Sequence, residues 1–224
     1  MTISNDSRAR IKRMFEPVAL GIGRLGLTPD ALTLIGFAIT VVGAVLVSQQ
    51  QWAAGGLVIL FGGIFDMFDG TLARATGKVS NLGAFMDSVF DRAGEVIVYV
   101  GLVVGFQEVG ILNGTVLAAA AMGSAVMVSY TRAKSEGLGF THGTGMAAVG
   151  VMPREVRLVI LSLGLILAGL FGGSGPGGGA FPPGIYILML ALAVIAIGAT
   201  ITTIQRILHV RSQANSKSTP TQTQ

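Results

Sequence analysis

The sequence predicts an all-α integral membrane protein with six transmembrane helices and an N-terminal amphipathic helix at the membrane interface. The first observation is composition: 51% of the 224 residues are hydrophobic and 12% are charged, whereas a soluble domain carries about a quarter charged residues. The second is the presence of six stretches that approach the roughly 20 apolar residues needed to cross a bilayer core. They lie at 31–48, 52–73, 81–106, 112–131, 155–172 and 184–205.

Residues 6–26 are predicted to form the interfacial helix. Apolar side chains recur there at helical spacing, and the basic side chains fall on other faces. Such a helix lies among the headgroups with its basic side toward anionic lipids. An ordinary juxtamembrane linker is the alternative. The apolar positions are Ile11, Phe15, Val18, Ile22 and Leu25, and the basic ones are Arg10, Lys12 and Arg13.

Basic residues predict the orientation of the chain in the cell membrane. The connections at 49–51, 107–110 and 172–183 contain no Lys or Arg, whereas the other connections and both terminal segments do. Because cytoplasmic loops are enriched in Lys and Arg, both termini and the charged connections are predicted to be cytoplasmic. The membrane domain would span 1–211, followed by a Ser-, Thr- and Gln-rich tail, 212–224, that is predicted to be disordered.

Several classes of site are excluded by what the sequence lacks. The chain has no cysteine, which excludes disulfides, thiolate metal sites and thiol nucleophiles. No basic run interleaved with aromatic residues points to nucleic acid. The glycine-rich stretch 172–179 lacks the Lys-Ser/Thr ending of a phosphate-binding loop. His142 and His209 lack the paired spacing of a metal site.

Four aspartates form two pairs at the end of the second predicted helix and the start of the third. Asp66 and Asp69 are three residues apart, and Asp87 and Asp91 are four apart, so each pair lies on one face of its helix. The antiparallel connection between the helices brings both pairs to the same cytoplasmic depth. The sequence therefore predicts a cluster of four carboxylates at this membrane face.

Such a cluster needs compensating positive charge. An ionised Asp in a membrane helix costs roughly 2.5–3.5 kcal/mol, and clustered like charges cost more. Carboxylate oxygens suit hard divalent cations, and an open site that retains water suits Mg²⁺ best, with Mn²⁺ as an alternative. Ion pairs with Arg74 and Arg92 are the competing explanation, but two arginines cannot neutralise four carboxylates.

The residues from Asp66 to Asp91 follow the pattern D-x2-D-G-x2-A-R-x8-G-x3-D-x3-D, with eight fixed residues over 26 positions. This pattern resembles the signature of the CDP-alcohol phosphotransferase family at every defined position. The six-helix plan and the basic N-terminal helix are similar too, so the resemblance covers nearly the whole chain except the tail. It implies a homodimeric membrane enzyme that transfers a phosphatidyl group from CDP-diacylglycerol to an alcohol and releases CMP.

The resemblance also implies a role for each matched residue. Asp66, Asp69 and Asp87 would be metal ligands. Asp91 would be the base that deprotonates the acceptor hydroxyl, either as a base only or also as a metal ligand. The CDP-lipid site would contain Gly70, Ala73, Arg74 and Gly83.

Basic residues near the cytoplasmic ends of the last three helices predict a second anionic site. Together they could bind a dianionic phosphate, which favours a phosphorylated acceptor; the alternative is that each is a headgroup anchor. The run 129–137 and the paired arginines at the start of the fifth helix resemble bacterial phosphatidylinositol phosphate synthases, whose acceptor is inositol phosphate. Glycerol phosphate and an archaetidyl-type ether lipid remain alternatives. The acceptor candidates are Arg132, Lys134, Arg154, Arg157 and Arg206.

Two other classes of protein compete with this interpretation. An aspartate-lined cation transporter would also place carboxylates in membrane helices, but the acidic cluster lies at one face, and only Glu108 is acidic toward the other. An intramembrane prenyltransferase also uses aspartate-rich motifs to hold Mg²⁺-diphosphate. It does not explain the Gly70, Ala73 and Arg74 positions.

Overall fold

The computed structural model describes residues 21, 23, 26–140, 149–172 and 181–217, and every extended regular element in these residues is an α helix. The six stretches predicted as helices are confirmed as helices. The predicted interfacial helix at 6–26 falls almost entirely outside the described residues. His142 also lies outside them. The helices are α1 Pro29–Ser48, α2 Trp52–Ala75, α3 Asn81–Glu108, α4 Leu112–Gly137, α5 Arg154–Leu170 and α6 Pro183–Lys217.

Four of the helices, α1, α2, α4 and α6, are long and apolar enough to cross a membrane. The other two differ in composition or length. The first half of α3 carries several charged residues, and α5 has 17 residues. Large apolar side chains such as Leu57 and Leu190 point outward and are more than half exposed, as expected for a surface that faces lipid. The protein is a multi-pass membrane protein.

The helices pack in a ring. Each contacts two main neighbours, in the order α1, α2, α5, α6, α4, α3 and back to α1. The two aspartate-bearing helices, α2 and α3, therefore lie on either side of α1 and pack on it rather than on each other. Close packing of α3 on α1 depends on Gly101 and Gly105. A Cβ added at these positions would lie 2.5 Å from the Ala44 carbonyl oxygen and 2.6 Å from that of Val47, respectively.

The last helix extends beyond the predicted start of the C-terminal tail. Residues 212–217 belong to α6, and residues 218–224 lie outside the described part of the chain. A side-chain contact one turn apart accompanies this extension, with Gln213 Nε2 lying 2.9 Å from His209 Nε2. The polar composition that predicted disorder is thus compatible with a solvated continuation of an established helix, because extending a helix is less costly than nucleating one.

Candidate active site

Three helix ends meet at one end of the ring, which we call the aspartate end: α1 and α3 begin there, and α2 ends there. Thr28 caps α1 by accepting a hydrogen bond from the Ala31 N–H at 3.2 Å, and Pro29 occupies the first turn. Ser80 caps α3 in the same way, accepting from the Gly83 N–H at 2.9 Å. These caps fix the start of both helices. Their positive N-terminal dipoles both favour an anion at this end.

Asp69 is the most buried of the four aspartates, with 5% of its surface exposed. One carboxylate oxygen accepts a hydrogen bond of 2.6 Å from the Thr33 hydroxyl of α1, and the other accepts from the Gly70 N–H. Asp66 and Asp87 both lie close enough to repel it electrostatically. Asp69 is therefore held in place from both α1 and its own helix.

Asp66 and Asp91 share one arginine, although they lie on different helices. Arg154 of α5 donates to Asp66 Oδ2 at 3.1 Å and lies 2.8 Å from Asp91 Oδ2. The two carboxyl groups lie close enough to repel each other electrostatically. Gly36 of α1 provides the space for Asp66, because a Cβ there would lie 2.5 Å from Asp66 Oδ1. All four predicted aspartates thus converge at the aspartate end, around α1.

The chemistry of this cluster fits a divalent metal ion. Four carboxylates repel one another, and within the described residues only Arg154 forms an ion pair with any of them. Oxygen donors of this kind are the ligands that hard divalent cations prefer. In their present conformations, no three acidic or histidine side chains among the described residues converge on one ion. Ligation of one ion by three aspartates therefore requires at least one of these side chains to change its conformation.

A cavity of about 260 Å³ opens beside the cluster, between the start of α1, the end of α2 and the start of α3. All four residues predicted for the CDP-lipid site line it, together with two of the aspartates. Gly70 lies against the Arg74 guanidinium, where an added Cβ would approach Nη1 to 3.3 Å. The lining residues that bear on function are Asp69, Gly70, Ala73, Arg74, Lys78, Gly83 and Asp87.

The predicted acceptor residues do not share one cavity in the same way. Arg157 is 1% exposed, and its Nε and Nη2 donate to the Glu95 carboxylate at 2.7 and 2.8 Å. Arg206 is 4% exposed; its Nε donates to the Val149 carbonyl at 3.0 Å, and Nη1 donates to the Val128 carbonyl. Both guanidinium groups therefore already have protein partners.

The two candidates on α4 lie near the surface. Arg132 forms an ion pair of 2.9 Å with Glu136 one turn later, and both side chains are about two-fifths exposed. Lys134 is exposed and lines a separate groove with Arg206. Of the five acceptor candidates, Arg154 alone forms an ion pair with the described aspartates. Phosphate binding by the others stays a prediction.

Comparison with known proteins identifies the family over a range that includes the aspartate motif. Residues 26–210 match the sequence model of the CDP-alcohol phosphatidyltransferase family. The chain belongs to this family. The resemblance inferred from the aspartate motif is confirmed, and the protein is accordingly an enzyme, a transferase of phospholipid biosynthesis.

Individual CDP-alcohol phosphatidyltransferases are similar to this chain over most of their length. The archaetidylinositol phosphate synthase of Pyrococcus horikoshii is 32% identical over 206 residues, which cover 92% of this chain and 95% of that one. The phosphatidylinositol phosphate synthase of Streptomyces avermitilis is 34% identical over 215 residues, covering 93% and 82%.

Solved structures of the phosphatidylinositol phosphate synthase of Mycobacterium tuberculosis have the same fold. The structure with CDP-DAG bound matches with a TM-score of 0.73 and 28% identity, over 88% of this chain and 94% of that one. A structure of the same enzyme in complex with manganese and citrate matches with a TM-score of 0.74.

Three residues of this phosphatidyltransferase that lie at or beside the cluster were missed by sequence reasoning. Glu95 could have been found, because it continues the four-residue spacing of Asp87 and Asp91 along one face of α3. Lys78 could also have been found as a basic residue beside the motif. Thr33 carries no such signal, since a threonine in an apolar helix is common and its contact with Asp69 is visible only in the folded chain.

Proposed function

We propose that this protein transfers a phosphatidyl group from CDP-diacylglycerol to inositol phosphate and releases CMP at the cytoplasmic membrane face. One observation carries the proposal. The cavity lined by Gly70, Arg74 and Asp87 adjoins the point where Asp91 meets Arg154. A donor site and a candidate base thus lie side by side, with an arginine suited to a phosphorylated acceptor.

The CDP-lipid would bind in the cavity. Arg74 and Lys78 supply cations for the diphosphate, and arginine matches phosphate oxygens with two parallel hydrogen bonds. Gly70 and Gly83 leave the helix backbone accessible, since neither carries a side chain. The N-termini of α1 and α3 add favourable dipoles for the anionic group. The Mycobacterium tuberculosis relative solved with CDP-DAG bound supports this donor.

Asp66, Asp69, Asp87 and Asp91 would hold Mg²⁺, or Mn²⁺ in its place. When bound, the metal would neutralise the diphosphate and the charge that develops on the leaving CMP. Asp91 would accept the proton of the acceptor hydroxyl. The acceptor oxygen then forms a bond to the phosphatidyl phosphorus, and the bond from that phosphorus to the bridging oxygen breaks, so that this oxygen leaves with CMP. Arg154 would orient the acceptor through its phosphate.

Two relatives support inositol phosphate as the acceptor, because both of their names contain it although the lipid parts differ. Glycerol phosphate remains the alternative acceptor. An archaetidyl donor is a second candidate, because the alignment covers 95% of the Pyrococcus horikoshii relative, which is named an archaetidylinositol phosphate synthase. Donors with ester-linked and ether-linked chains should therefore be compared directly.

All six helices would cross the membrane, with both termini cytoplasmic. At 1.5 Å per residue, the 17 residues of α5 would span about 26 Å, close to the roughly 30 Å hydrocarbon core. The charged side chains in the first half of α3 would lie inside the ring or at its aspartate end. Residues 6–26 would form the interfacial helix, and the family resemblance leads us to expect a homodimer.

An acceptor panel tests the proposed activity. Purified protein in liposomes would receive CDP-diacylglycerol and Mg²⁺ with inositol phosphate, glycerol phosphate, inositol or serine, and CMP release would be measured. We expect the fastest release with inositol phosphate and none after chelation of the metal. Faster release with glycerol phosphate would make glycerol phosphate the acceptor in place of inositol phosphate. The absence of CMP with every acceptor would refute the proposal. Chain orientation can be mapped with single cysteines, because the natural chain has none.

A further inference from the structure

Two ion pairs join α3 to α5 across the interior of the ring. Asp91 pairs with Arg154, and one turn further on Glu95 pairs with Arg157. The acidic partners are four residues apart on α3 and the basic partners three apart on α5, so the pairs form successive rungs between the helices. The first rung belongs to the candidate active site. The second has no role in the proposed chemistry.

The Glu95–Arg157 rung is built to be rigid. Two parallel hydrogen bonds of 2.7 and 2.8 Å join the guanidinium to the carboxylate, and Arg157 is almost fully buried. Since α3 and α5 are not main packing neighbours in the ring, side chains such as these fix how the helices face each other. A small cavity between the helices, lined by Thr40, Tyr99 and Arg154 among others, separates their backbones.

The same arginine also fastens the segment that leads into Arg154. Arg157 Nη1 donates to the Met152 carbonyl at 2.9 Å, and the Met152 N–H donates to the Thr202 hydroxyl of α6 at 3.0 Å. Arg206 holds the Val149 carbonyl in the same segment. The chain just before Arg154 is therefore attached to α5 on one side and α6 on the other.

We propose that Glu95 and Arg157 are positioning residues for Arg154, and that through it they set the affinity for the acceptor phosphate. Without Glu95, the Arg157 guanidinium would lose its carboxylate in a buried site, and Asp91 is the next carboxylate along the same face of α3. Arg157 would then compete with Arg154 for Asp91, and Arg154 would shift. This inference rests on the proposed function, because it assigns Arg154 to the acceptor.

Glu95→Gln in the full-length protein in liposomes tests the inference. We expect the KM for inositol phosphate to rise about tenfold, as for residues that act at one remove from a ligand, while the KM for CDP-diacylglycerol stays within about twofold. Glu95→Asp retains the carboxylate and should lie between Glu95→Gln and wild type. Arg157→Lys retains the charge but loses the paired hydrogen bonds, and should shift the acceptor KM in the same direction if Glu95→Gln does not fold.

Tyr99→Phe is the matched control. Tyr99 lies one turn beyond Glu95, lines the same small cavity and is as buried as Arg157, but its hydroxyl makes no hydrogen bond to the described protein atoms. We expect both KM values to stay within about twofold of wild type in this variant.

If the Glu95–Arg157 pair only stabilised the fold, Glu95→Gln would lower kcat in proportion to the folded fraction, measured by thermal unfolding. Both KM values would then stay unchanged. That result, or an equal rise in both KM values, would overturn the inference. If wild type used another phosphorylated acceptor, the same comparison would be made with that acceptor, and only the identity of the acceptor would change. If wild type released no CMP with any acceptor, the proposed function would fail and this inference with it.

Discussion

The α2–α3 region and the start of α5 were both predicted to bind phosphate groups, yet the predicted residues converge in the first region and not in the second. The eight residues of the aspartate motif either form the carboxylate cluster or line the cavity beside it. Of the basic residues predicted for the acceptor, only Arg154 reaches that cluster, whereas Arg157 and Arg206 are buried among protein acceptors. The two regions differ in how directly the sequence constrains their geometry.

The difference lies in the number of independent helices involved. The motif occupies the two sides of one short connection, so helical spacing and the turn together determine which side chains converge. The basic residues come from three helices, and their convergence depends on packing that the sequence pattern does not specify. A buried guanidinium must also satisfy its donors. Arg157 and Arg206 do so on carboxylate and carbonyl oxygens outside the aspartate cluster, whereas Arg154 does so on two carboxylates of the cluster itself.

The largest expected effect is at Asp91. Asp91→Asn should lower kcat by about 10²–10⁴-fold, the range typical of losing a general base, because the amide cannot accept the proton of the acceptor hydroxyl. Binding of CDP-diacylglycerol should persist, since Asp91 does not line the donor cavity. Turnover would be measured by CMP release, and binding by ligand-induced thermal stabilisation. Loss of both together would make Asp91 chiefly a metal ligand and not the base.

The next effect tests the support that α1 gives to the cluster. Gly36→Ala would place a methyl group 2.5 Å from Asp66 Oδ1, and the carboxylate would have to turn away from its present position. We expect kcat/KM to fall about 10- to 100-fold, since displacements of about 1 Å have effects of this size, with little change in the unfolding temperature.

Gly123→Ala is the matched control for Gly36→Ala. Gly123 also lies within a membrane helix, but a Cβ there would have no neighbour within 4 Å. Its activity should equal that of wild type. If Gly36→Ala were equally active, the position of Asp66 would not depend on α1, and the aspartate end would be more adaptable than its contacts indicate.

The sequence predicted the six helices and the four aspartates of the site, but not the packing contacts that hold the site together. Hydropathy and charge located all six helices, and helical spacing brought Asp66, Asp69, Asp87 and Asp91 together correctly. The position of α1 between α2 and α3 was not predicted, because it is decided by close contacts at glycines such as Gly101 and not by any periodic pattern. For the same reason the Thr33–Asp69 contact was missed.

Arg154 and Arg206 provide a direct test of the difference between the two regions. Arg154→Ala should raise the KM for the acceptor by about tenfold, corresponding to about 1.4 kcal/mol, because the phosphate loses its nearest cation at the cluster. Arg206→Ala should chiefly lower the unfolding temperature, since one buried and one partly buried carbonyl lose a charged donor. Each such hydrogen bond contributes about 1.5–3 kcal/mol. Kinetics and thermal unfolding would be measured on both variants. A selective rise in acceptor KM for Arg206→Ala would return Arg206 to the acceptor site.

The smallest effect is expected at Arg132. Its only described partner is Glu136, in a partly exposed pair one turn apart, and such helix pairs contribute about 0.3–0.5 kcal/mol. Arg132→Ala should therefore change the acceptor KM by less than about twofold and leave the unfolding temperature unaltered. Glu136→Gln removes the same pair without removing the positive charge and should behave identically. If Arg132→Ala raised the acceptor KM several-fold and Glu136→Gln did not, the charge of Arg132 would act on the acceptor directly. The pocket for the phosphate would then extend from α5 to α4, as the sequence alone predicts.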